Sequence, residues 1–325
     1  MPKPLNLSPE VQAGLDAMNE TRPTPEAPEF DPRLLGQLSA TGIHIDSDPE
    51  RMTDSDPSNP GTLTPLSPEN KLLLETLLVP QTETALKAHN TLSDSLSGAS
   101  HTTVEQLTHE LFSWLTDGKL DYVRGQIEQN PDLRFTLVAT PNVLPKDHAE
   151  VFAAAKGFGK AAPGSPQAYD TWIYDEEMNG DLYGKYSLQQ LAGTDPDSGN
   201  AIQFSLMPSK PTPELANMTT QEQRQIFQND LQPSMNNLKV PSVLEAITYW
   251  HTLRNQLPKA PDNSGNMQLQ QLAGFDLTYI RHFDLPDQSV GGNSLVPRLY
   301  VNDDGGPDLY RSKADAADVA RLSVG

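Results

Sequence analysis

The residues whose types and spacing could support catalysis lie in the stretch Arg281-His282-Phe283-Asp284. In a β-strand, His282 and Asp284 would project from the same face, because side chains alternate along a strand. A carboxylate placed there can orient an imidazole, or both groups can bind one metal ion. Arg281 adds a guanidinium that can hold an anion through two parallel hydrogen bonds. The pattern therefore predicts His282, Asp284 and Arg281 as catalytic residues at the end of a strand.

Two acidic clusters predict a site for a divalent cation, Mg²⁺ or Ca²⁺. Asp175 and Glu176 follow a predicted aromatic strand over 169–174, and Asp303 and Asp304 follow a predicted strand over 296–301. Clustered carboxylates bind such cations or raise one another's pKa. An equally simple interpretation is an acidic turn, because Asn-Gly or Asp-Gly pairs occur in both stretches and neither has the ligand order of a calcium loop.

Several catalytic classes are excluded by the sequence. The chain has no cysteine, so it has no thiolate nucleophile and no disulfide. It also has no nucleotide-binding phosphate loop, no dinucleotide-binding glycine fingerprint and no Gly-x-Ser-x-Gly nucleophile elbow.

The charge of the chain limits the partners that we expect. There are 43 acidic and 23 basic residues, which give a formal net charge of −20. An acidic protein is repelled by phosphate backbones and anionic lipids, so nucleic acid is an unlikely partner and a protein partner is expected. No apolar run resembles a signal peptide or a membrane span. We therefore expect a soluble, cytoplasmic protein, and its oligomeric state stays open.

The distribution of aromatic residues predicts the organisation of the chain. Of the 21 aromatic residues, only Phe30 precedes Phe112, and residues 1–69 contain 12 of the 29 prolines. Such a composition cannot offset the entropy of ordering, which predicts a disordered or extended acidic arm over 1–69. Two short apolar islands in the arm, around Leu15 and Leu34, are candidate docking helices.

Apolar spacing predicts a helical segment over 70–111 that packs on the core. Leucines between 72 and 78 predict a helix that stops before Pro80, because proline lacks the N–H that continues a helix. A second helix is predicted over 82–96 and a third after an N-cap at Thr102 or Thr103, ending at Gly118. A fourth helix should end at Asn130-Pro131.

From residue 112 onward, the pattern predicts a globular domain over 112–325. Strands are predicted at 135–139, 169–174, 202–207, 277–283, 296–301 and 319–324, and helices at 146–159, 188–192, 220–231, 242–257 and 267–273. Ser242 and Glu245 have the spacing of a capping box at the start of the helix over 242–257. Strands separated by helices predict an α+β fold, with α/β as the alternative, in a single mixed-sheet domain flanked by helices.

Two functional hypotheses follow. The first is a non-catalytic protein-interaction or assembly protein whose N-terminal arm is a tether or docking segment. The alternative is a divalent-metal-dependent hydrolase or transferase built from the strand-end carboxylates and His282. The alternative requires these clusters to meet in space, because the ligands of one metal ion all lie within about 2.6 Å of it.

Overall fold

A computed structural model of the protein describes residues 66–157, 182–195, 198–232, 237–256, 280–290, 292–301 and 307–325. All of them belong to one compact unit, Asp56–Gly325. The described part begins near the end of the predicted arm. Of the predicted elements, the strand over 169–174 and the helix over 267–273 lie outside the described residues.

The first layer consists of helices. Helix α1 (Pro68–Leu73) continues through a π-helical turn (Leu74–Leu78) and a 3₁₀ turn (Val79–Gln81) into α2 (Thr82–Ser93). The first helical segment ends at Leu78, before Pro80, and α2 begins at Thr82, as predicted. Pro80 lies in the first turn of the 3₁₀ segment that joins them, where its missing N–H needs no partner. Helices α3 (Val104–Trp114) and α4 (Asp117–Gln129) follow.

Side-chain caps set the starts of α3 and α4. Thr103, one of the two threonines that the sequence predicted as the N-cap, caps α3 and forms a capping box with Gln106. Thr116 accepts a hydrogen bond from the backbone of Lys119 and starts α4. The predicted stop at Gly118 is wrong, because α3 already ends at Trp114 and Gly118 lies inside α4.

The first sheet in the described part of the chain has four strands. Strands β1 (Phe135–Pro141) and β2 (Ile202–Pro208) are antiparallel over their full lengths, with Leu137 opposite Leu206. The short strand β8 (Ser323–Val324) lies between β2 and the equally short β3 (Leu238–Lys239). Between β1 and β2 the chain forms α5 (His148–Gly157) and α6 (Leu188–Ala192).

Gln81 protects the outer edge of β1. Its side-chain amide donates to the carbonyl of Phe135 at 3.0 Å and accepts from the N–H of Leu137 at 2.9 Å. These are the groups that a neighbouring strand would otherwise pair with, so the amide blocks addition of another strand at this point.

Both faces of the first sheet are buried. Alternate residues of β1 and β2, such as Leu137 and Phe204, pack against Leu74, Leu107 and Leu120 in the first layer. Residues that point to the opposite face, such as Val138 and Met207, pack against α5, α6 and the long helix α8 (Val243–Gln256). Helix α7 (Thr220–Ile226), extended by a π turn (Phe227–Leu231), lies between β2 and β3 in the chain.

Helix α8 lies between two sheets. The second sheet is antiparallel: β4 (Ile280–Arg281), β5 (Gln288–Val290) and β7 (Pro307–Lys313) all pair with β6 (Asn293–Val301). Its Leu295, Leu299 and Leu309 join the same core as α8. Packing on both sides explains why every residue from 241 to 253 is buried, where the sequence predicted a single buried stripe.

The described chain has an α+β fold, as predicted, since helices and antiparallel sheets form its layers. No helix in the described part is both long and apolar enough to span a membrane.

Candidate functional site

Arg281 lies at the end of β4 and is completely buried. Its guanidinium donates to the carbonyl of Met218 at 3.1 Å, to that of Ala316 at 3.2 Å, and also to the carbonyl of Lys313. Burial lowers its pKa, while the nearby carboxylate of Asp318 acts in the opposite direction. Because these main-chain carbonyls accept its hydrogen bonds, the guanidinium can be buried without leaving these donors unsatisfied.

His282 is buried beside Arg281 and is neutral at pH 7. Its Nδ1 atom donates to the carbonyl of Pro241 at 2.8 Å, which leaves the proton off Nε2. Burial lowers its pKa to about 4, although the Pro241 carbonyl and Glu245 favour the charged form. Nε2 has no hydrogen-bond partner among the described residues.

Asp284 does not share a strand face with His282. Strand β4 ends at Arg281, and the chain then turns so that the N–H of Leu285 donates to the carbonyl of His282. His282 is buried, whereas Asp284 is exposed. Protein atoms crowd the Asp284 carboxyl closely enough to raise its pKa to about 6, although solvent still reaches it. The predicted geometry of the pair is therefore not found, and the catalytic roles stay a prediction.

The predicted metal ligands Asp175, Glu176, Asp303 and Asp304 lie outside the described residues. Strands β6 and β7, which flank Asp303 and Asp304, pair up to Val301 and Pro307, so they form the arms of a hairpin. Within the described ranges, no group of three His, Asp or Glu side chains could hold a metal ion. The convergence of the acidic clusters thus stays a prediction.

The second sheet carries a groove of a different kind. Its volume is about 360 Å³, and residues of β6, β7 and the segment after β7 line it. We call it the cationic groove and define it by its lining residues: Arg298, Tyr310, Arg311, Ser312, Lys313, Ala316, Ala317 and Asp318.

Strand register places three of these residues on one face of the sheet. Arg298 lies directly opposite Tyr310, and Ser312 is two residues further along β7. The guanidinium of Arg298 is 5.3 Å from the centre of the Tyr310 ring, a cation–π contact that holds the arginine in place. Arg311 and Lys313 alternate with these residues along β7, and Lys313 is exposed.

Asp318 forms one wall of the groove and is fixed by its neighbours. One oxygen, Oδ2, lies 3.3 Å from Nη1 of Arg298 and accepts from the hydroxyl of Ser312 at 3.0 Å. The other oxygen accepts from the N–H of Val319 at 2.9 Å. The backbone of Asp318 also pairs with Met218.

Arg281 holds the segment below the groove. Two of its acceptors, the carbonyls of Lys313 and Ala316, belong to residues that line the groove. A predicted catalytic residue is thus found behind the groove, where it fixes the main chain. Such pre-organisation lowers the entropy that binding would otherwise cost.

The chemistry of the groove favours anions. Three of its lining residues are basic and one is acidic, in a chain of net charge −20. Arg298 lies on the same face as Tyr310 and Ser312, whereas Arg311 and Lys313 alternate to the other face of β7. Guanidinium groups bind carboxylate or phosphate oxygens through charge-assisted hydrogen bonds, and a lysine adds a point charge.

Sequence reasoning did not single out Arg298 and Lys313. The Asp-Gly pair indicates a hairpin turn, but a turn alone does not give the register that sets Arg298 opposite Tyr310 and Arg311 opposite Pro297. No local signal therefore pointed to these two residues.

Comparison of the chain with protein-family models, with curated proteins and with solved structures finds no match.

Proposed function

We propose that the protein is a non-catalytic interaction protein whose cationic groove binds an acidic segment of a partner protein. The observation that carries this proposal is the concentration of positive charge: Arg298, Arg311 and Lys313 line one groove of about 360 Å³, in a chain with 43 acidic and 23 basic residues. A local charge of the opposite sign steers and orients a complementary partner.

The size of the groove favours a short acidic segment over a nucleic acid. Its volume of about 360 Å³ lies near the lower end of the range of about 300–1,000 Å³ seen for small-ligand pockets. One or two side chains fill such a space. An extended polyanion would also have to lie against the acidic remainder of the protein, where like charges repel it.

The lining groups are suited to recognition. The carboxylate of Asp318 is held at both oxygens by Arg298, Ser312 and the N–H of Val319. These bonds hold Arg298 and Ser312 in fixed positions beside the carboxylate. The predicted role of residues 1–69 as a tether or docking segment is a further part of this proposal.

Charge reversal of Lys313 tests the proposal. A fluorescein-labelled, glutamate-rich decapeptide should bind the wild-type protein, and its affinity should fall as salt is added. Lys313→Glu should weaken binding by about tenfold or more, because it replaces an attractive charge in the groove by a repulsive one. Binding is measured by fluorescence anisotropy.

Lys87→Glu is the matched control, since Lys87 is an exposed lysine on α2 and does not line the groove. It changes the net charge by the same amount and should leave the affinity nearly unchanged. An equal loss in both variants would show that only net charge matters, and absence of binding to the wild-type protein would refute the proposal.

A further inference from the structure

We draw no further inference here: the strongest candidate, the side-chain cluster of Asn70, Asp117 and Asp121 between α1 and α4, carries nothing because the Asn70 amide already donates to both carboxylates and Arg124 to that of Asp121, and no second observation in the described part of the chain points to a bound cation.

Discussion

Arg281 illustrates how a buried guanidinium can organise a main chain. Its side chain is inaccessible to solvent, and it donates to the carbonyl of Met218 and to the carbonyls of Lys313 and Ala316, which lie in a second segment. A charged group is costly to bury unless hydrogen bonds compensate it. Main-chain carbonyls compensate the burial of this guanidinium, and the guanidinium in turn satisfies those carbonyls. The arginine and the segment before β8 therefore stabilise each other.

Replacing Arg281 by methionine should destabilise the protein by about 3 kcal/mol or more, because several buried carbonyls lose their donor. Lysine should not restore the loss, since one ammonium cannot reproduce the planar fork. Urea unfolding followed by circular dichroism measures the change.

Arg124→Met is the control for this substitution. Arg124 pairs with Asp121 on the surface of α4, at 2.8 Å, with both side chains partly exposed. Exposed pairs contribute about 0 to 1 kcal/mol, so this variant should remain close to the wild type. A similar stability of the Arg281→Met and Arg124→Met proteins would show that the buried contacts are not a major source of stability.

At the scale of elements, the features that the sequence predicts correctly are those that depend on residues close together in the chain. The capping box of Ser242 and Glu245 is present, with the N–H of Ser242 bonded to the Glu245 carboxylate at 2.8 Å. Helix α6 and strand β2 also lie where their patterns predicted. These features are local, because caps and apolar periods involve residues within about four positions of one another.

Features that depend on distant residues were not predicted. The two-residue strand β3 exists because Leu238 pairs with Val324, and its segment has no strand pattern of its own. The strand predicted over 319–324 is present only as Ser323–Val324, where the chain meets that partner. The cationic groove likewise depends on the register of β6 and β7 and on a segment fixed from behind by Arg281. Tertiary pairing of this kind leaves almost no local signal.

Gly193 joins two elements through a close approach. It ends α6 with a left-handed φ of 64°, and a Cβ built on it would lie 2.5 Å from the Cβ of Ser242 at the start of α8. Gly193→Ala should cost about 1–2 kcal/mol from the backbone conformation and a further 1–3 kcal/mol, roughly, from overpacking. Thermal or urea unfolding measures the sum.

Gly199→Ala separates the two causes. Gly199 also has a left-handed φ, 75°, but no atom lies within 4 Å of a Cβ placed there. Only the conformational cost of about 1–2 kcal/mol applies to it. If Gly193→Ala were no less stable than Gly199→Ala, the contact between α6 and the start of α8 would not be tight.

At the scale of the whole molecule, the buried interior encloses three histidines in their neutral forms. His89 and His282 are 2% and 1% exposed, and burial is the main reason why the pKa of each is lowered to about 4. Burial also lowers the pKa of His251 on α8. His89 lies on α2, His251 on α8 and His282 just after β4. Protonation of these histidines would therefore destabilise the folded state at three separate places.

Stability should therefore fall as the pH is lowered from about 6.5 to about 4. In this interval the unfolded chain binds protons at His89 and His282, whose ordinary pKa is 6.5, while the folded protein does not. Asp284 acts in the opposite direction as the pH falls from about 6 towards 3.8, because its pKa is raised in the folded state. Its effect is small, since solvent reaches the carboxyl.

The measurement is urea unfolding at pH 7.5, 5.5 and 4.5, with His282→Asn as the test variant. Asparagine can still donate to the Pro241 carbonyl but does not titrate, so the free energy of unfolding should depend less steeply on pH than in the wild type, by up to about 3 kcal/mol over the interval. His109→Asn, at an exposed position on α3, should keep the wild-type slope. If all three proteins had the same slope, His282 would bind its proton equally well in the folded and unfolded states. Its burial against the Pro241 carbonyl would then not lower its pKa, contrary to the expectation.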